Sequence, residues 1–79
     1  MSTYTDVMSG KKDNNINLND LCYLLKKLGF VVRIKGSHHF FVKPGVTDPV
    51  NLQPDGAKAL AYQVRQVRAV FKHYNISEA

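Results

Sequence analysis

The dipeptide Gly36-Ser37 stands between two runs of strand-forming residues and constrains this chain more than any other feature. Phe30-Val31-Val32-Arg33-Ile34-Lys35 precedes it, and His38-His39 followed by Phe40-Phe41-Val42-Lys43 comes after it. Glycine at the first position of a two-residue connection is the signature of a type II′ hairpin turn. A connection of that length sets Lys35 opposite His38, and the pairs Ile34/His39, Arg33/Phe40, Val32/Phe41, Val31/Val42 and Phe30/Lys43 follow outward. Opposed residues share a face of the sheet. One face then carries Phe30, Val32, Ile34 and Phe41, with His39 at its edge, and reads as core. The other carries Lys35, Arg33 and His38 beside Phe40, Val31 and Val42, so His38 sits among positive charges.

Size limits what else can be built. At 79 residues the chain is one domain, near the lower size at which a hydrophobic core suffices alone. With one cysteine, Cys22, no internal disulfide can form, and no apolar run approaches a membrane span or a signal-peptide core, so a reduced cytosolic setting without membrane association is expected. Cys22 itself, beside leucines, reads as a small core residue. Eleven Lys and Arg against six Asp and Glu leave a net charge of +5, which suits a polyanion and equally serves plain solubility.

Met1 to Asn15 are polar and lack periodicity, and read as a flexible N-terminal tail. From Asn17, a plausible N-cap with Asp20 three residues on, Leu18, Leu21, Cys22, Leu25 and Leu28 recur at helical spacing until Gly29 stops the helix. Lys43 to Pro49 holds two prolines and a glycine and reads as a loop. Val50 to Gln53 is expected to be a short strand with Val50 and Leu52 inward, Pro54-Asp55-Gly56 a turn, and about Ala59 to Tyr74 a second helix. On that helix Leu60, Val64, Val67, Val70, Phe71 and Tyr74 share one arc, and Arg65, Arg68 and Lys72 form a neighbouring stripe. The stripe is a candidate phosphate track; three cations so spaced also describe the solvated side of an amphipathic helix. The element order gives an α+β class, an α-β-β-β-α sandwich with a three-stranded antiparallel sheet and both helices on one face, leaving the other uncovered.

Leu24-Leu25-Lys26-Lys27-Leu28-Gly29-Phe30, then Lys35-Gly36-Ser37-His38-His39-Phe40-Phe41, then a short strand and a final amphipathic helix resemble the HicA family of toxins from bacterial toxin-antitoxin pairs. The resemblance covers about Ile16 to Ile76 and sets a domain at residues 16–77. It implies a fold like the double-stranded-RNA-binding domain. It further implies an endoribonuclease acting on messenger RNA, which inhibits translation until a HicB-type antitoxin binds it, with the histidine directly after Gly-Ser, here His38, as the catalytic one.

The residues are compatible with that chemistry. Cutting RNA without a metal needs a base for the attacking hydroxyl and groups that offset charge growing on the phosphate. His38 suits the first role. Lys35, Arg33, and Lys58 or Arg65, could hold phosphate oxygens, as could the backbone N–H groups of Gly36 and Ser37; Arg68 and Lys72 complete the candidate RNA-binding set. His39 points the other way, and adjacent strand residues cannot both bind one ion without distortion. No metal site or cofactor is expected. Val31, Phe40 and Val42 form an apolar patch beside His38 that could stack on bases, receive the antitoxin or join two copies. The alternative to an enzyme is a non-catalytic RNA-binding or protein-binding module with the same sandwich.

Overall fold

The computed structural model describes residues 2–36, 38–52 and 58–78. The elements are α1 (Thr3–Ser9), α2 (Leu18–Lys27), β1 (Val31–Lys35), β2 (His38–Lys43), β3 (Val46–Leu52) and α3 (Ala61–His73). The strands form an antiparallel sheet in the order β1-β2-β3. From α2 onward this is the expected α-β-β-β-α sandwich of α+β class.

Local chemistry sets the boundaries. Asn17 caps α2, its Oδ1 accepting from the Asp20 N–H at 3.1 Å. At the other end Phe30 N–H donates to the Leu25 carbonyl at 2.9 Å and Gly29 N–H to that of Lys26 at 3.1 Å. This double closure needs a left-handed residue, and Gly29 supplies it at φ 100°. The chain then turns straight into β1. Asn75 does the same at the end of α3 with φ 54°, where Ile76 N–H reaches the Phe71 carbonyl at 2.9 Å. At the start of α3 the Leu60 N–H donates to Gln63 Oε1 at 3.0 Å, so the buried Gln63 side chain satisfies a backbone group at the helix entrance.

The register of the first hairpin is the expected one: Lys35 opposes His38, Ile34 opposes His39, Arg33 opposes Phe40, Val32 opposes Phe41 and Val31 opposes Val42. Gly36 has φ 62°. Ser37, and the expected turn at Pro54-Asp55-Gly56 together with Gln53, lie outside the described residues.

The core gathers Leu18, Leu21, Leu24 and Leu25 of α2, Phe41 of β2, Val50 and Leu52 of β3, and Val64, Val67, Val70 and Phe71 of α3. Phe41, Phe71, Leu21 and Leu25 are among its largest fully buried side chains. Emptying one such aromatic position costs on the order of 3–5 kcal/mol.

Three expectations need correcting. The segment read as a tail contains α1, whose Val7 is 0% exposed and which packs against both α2 and α3. Tyr4 stacks on Phe71 with ring centroids 5.5 Å apart and donates its hydroxyl to the Ile76 carbonyl at 2.9 Å. Tyr4, Val7 and Met8 recur at i, i+3 and i+4, a helical stripe too short to register as periodicity.

The segment Lys43 to Pro49 is not a loop throughout. Lys43 pairs with Val46, so only Pro44 and Gly45 turn, with Gly45 at φ 88° as the second central position of a type II turn requires. Pro49 is tolerated in β3 because β3 is an edge strand, where a missing N–H need break no ladder bond. A register irregularity between Phe41 and Lys43 accompanies it.

Ile34, assigned to the core face, is 64% exposed. It lies next to the hairpin tip, at the outer end of that face.

Candidate functional site

The uncovered face of the sheet carries the side chains that the hairpin register sets together. Lys35 and His38 oppose each other next to the turn, and both are exposed. The next row inward is Arg33, Phe40 and Asn51, because Phe40 pairs with Arg33 on one side and with Asn51 on the other. Val31 and Val42 form the row beyond, Val31 being 58% exposed. His38 and Phe40 stack along β2, with ring centroids 6.0 Å apart and planes 29° from parallel. Alternation along β2 explains this: Phe41 is buried in the core, so His38, Phe40 and Val42 turn outward together.

Electrostatically the face is basic. Arg33 and Lys35 flank His38 and Phe40 on β1, and among the described residues no carboxylate belongs to these rows. Lys58 pairs with Asn17 through an isolated bridge and donates to Asn15 Oδ1 at 3.1 Å. Leu52, the last described residue before Lys58, lies opposite His39 next to the hairpin tip.

The stripe on α3 does not join this cluster. Arg68 is drawn away from solvent, its guanidinium bonded to the Asp13 carboxylate and to the Val7 carbonyl of α1. Arg65 and Lys72 remain exposed, on a helix that covers the opposite face of the sheet. Angle alone could not separate Arg68 from its neighbours, because its partner is supplied by another element.

His39 turns toward the core edge and is half-buried; its Nδ1 is buried with no hydrogen-bond partner among the described residues. Cys22 is half-buried, and burial pushes its thiol up from the ordinary value, against a smaller opposing effect of the Lys26 ammonium. That makes it less nucleophilic. Among the described residues no three His, Cys, Asp or Glu side chains come together as a metal site would need. A cleft of about 550 Å³ lies between β3 and α3, lined by Asp48, Pro49, Gln66, Ala69, Val70 and His73. None of its lining residues belongs to the rows around His38.

Asn51 is the residue that sequence reading missed. Its outward direction follows from Val50 and Leu52 pointing inward, but its place beside Phe40 requires the register between β2 and β3, which no turn motif fixes.

The family model described as the HicA toxin of bacterial toxin-antitoxin matches residues 18–76. The chain belongs to the HicA toxin family. The matched span takes in α2, the whole sheet, α3 and every row of the open face, while α1 and the Asp13 partner of Arg68 lie ahead of it. No curated protein and no solved structure matches the chain. Membership places the chain among the toxins of bacterial toxin-antitoxin systems, in which a toxin is paired with an antitoxin. No helix among the described residues is long and apolar enough to cross a membrane.

Proposed function

We propose that this HicA-family chain is an endoribonuclease that cleaves messenger RNA without a metal, uses His38 as general base, and arrests translation and growth in the bacterial cytosol until a HicB-type antitoxin binds it. The observation that carries the reading is the position of His38: exposed on the uncovered face, opposite Lys35 and stacked on Phe40.

His38 removes the proton from a ribose 2′-hydroxyl, whose oxygen attacks the adjacent phosphorus. The bond from phosphorus to the 5′-oxygen breaks, and the leaving oxygen takes up a proton from the imidazolium or from water. Charge growing on the non-bridging oxygens is offset by Lys35 and Arg33, together with the Gly36 N–H and Lys58. Ser37 belongs to this proposal through its backbone N–H. Arg65 and Lys72, on the helical layer, would meet RNA only where a longer strand passes around the domain.

Val31, Phe40 and Val42 give the antitoxin an apolar landing surface directly beside His38, so one contact would both cover the patch and block the site. The test is expression of the chain alone and together with a HicB-type antitoxin. Growth arrest relieved by the antitoxin, with Phe40→Ser weakening the complex while leaving the fold intact, is the expected outcome. An antitoxin affinity unchanged by Phe40→Ser would place the contact elsewhere.

A further inference from the structure

We infer that Arg33, Phe40 and Asn51 form a nucleotide subsite next to the scissile position, in which Asn51 selects for adenine. The inference rests on the ribonuclease reading of the open face and names the base that this face recognises.

The three residues make one row across the sheet. Strands lie about 4.8 Å apart, and successive rows on one face about 6.8 Å apart along a strand. A nucleotide lying across the strands therefore meets Arg33, Phe40 and Asn51 in turn, and its neighbour meets Lys35 and His38. Arg33 suits the phosphate. Phe40 offers an aromatic face on which a base can stack, and single-stranded RNA exposes its bases for such stacking.

Asn51 supplies the selectivity. Val50 and Leu52 on either side are fully buried, which holds Asn51 to the open face. Its Oδ1 is shielded from solvent and has no hydrogen-bond partner among the described residues. Such an acceptor is costly to leave unmade, and its persistence in a site calls for a donor. The terminal amide torsion is broad, so the carboxamide can turn in place toward a ligand. It then presents an acceptor and a donor side by side, the pattern that pairs with the amino group and ring nitrogen of adenine. A purine also covers more of the Phe40 ring than a pyrimidine.

The experiment uses the full chain carrying His38→Ala and three fluorescein-labelled hexamers: hexauridine, hexauridine with one internal adenosine, and the same oligomer with a purine ribonucleoside lacking the 6-amino group. Fluorescence anisotropy gives their dissociation constants. The adenosine oligomer should bind about tenfold more tightly than the other two, and adding Asn51→Val or Asn51→Thr, each checked for folding by thermal melting, should bring all three within about twofold. Equal binding of the adenosine and purine oligomers, or a preference that survives both substitutions, overturns the inference. Cleavage of the same oligomers by the chain with His38 intact separates the two levels. Adenine preference without cleavage would retain the subsite and remove the enzyme; cleavage without preference would retain the enzyme and remove the subsite.

Discussion

The Arg68 guanidinium grips the Asp13 carboxylate with both arms, Nη1 to Oδ1 at 2.8 Å and Nη2 to Oδ2 at 3.1 Å, while Nη1 also donates to the Val7 carbonyl at 3.0 Å. Two parallel charge-assisted bonds fix orientation as well as distance. The cation ties α3 to the end of α1 and to the segment that leads into α2. The bond to Arg68 holds the Asp13 carboxyl below its ordinary value of 3.8, with smaller lowering contributions from the Arg68 and Arg65 charges and a partial opposition from desolvation.

The pH dependence of stability follows from that depression. A carboxylate whose folded value lies below its unfolded one contributes fully above the unfolded value, and the contribution fades as pH falls through the folded value. Urea midpoints of the unaltered chain and Asp13→Asn should therefore differ by the same amount at pH 7 and pH 5, and converge below pH 3.8. A gap that persists undiminished at pH 2 would show that Asp13 acts through shape and not charge.

Val7 tests whether α1 is part of the folded unit. Val7→Ala removes two buried methyl groups at a fully enclosed position and should cost about 2 kcal/mol in urea unfolding. A flexible tail would show no change.

Legibility of the fold tracked the range of the interactions. The hairpin register was readable because Gly36-Ser37 fixes it locally, and α2 because Asn17 and Gly29 mark its ends. The extent of β3 was hidden by Pro49, whose tolerance depends on the strand having no neighbour beyond it. Ile34 had the right face but not the burial, since where the helices stop is a tertiary matter. Of the site, His38, Lys35, Arg33 and Phe40 were legible from one turn; Asn51 needed a second strand pairing, and the loss of Arg68 to the interior needed a partner 55 residues away in sequence.

His39 should be replaceable by an apolar residue. Its Nδ1 is buried without a partner among the described residues, so His39→Leu removes an unsatisfied group while keeping volume near Leu52 and Ile34. The variant should be as stable as the unaltered chain or more stable by about 1 kcal/mol. A clear loss of melting temperature would reveal a bond from the imidazole that supports the fold.

The two groups of cations should separate by salt dependence. With His38→Ala protein and single-stranded RNA, Arg33→Gln with Lys35→Gln should reduce the slope of log affinity against log salt by about 1.4, roughly 0.7 for each lost phosphate contact. Arg65→Gln with Lys72→Gln should change it less on a short oligomer, because the sheet lies between them and His38. Equal effects would mean that RNA engages the helical layer as closely as the open face.

The most direct measurement is cleavage of an end-labelled single-stranded RNA by the unaltered chain and by His38→Ala under metal-chelating conditions, with melting curves recorded for both. His38 is exposed and outside the core, so its removal should leave the chain folded while cleavage falls by about 10²- to 10⁴-fold, the range supplied by a positioned general base. Equal cleavage by a folded His38→Ala protein, or no cleavage by either, would contradict the assignment of His38 as the base of a ribonuclease.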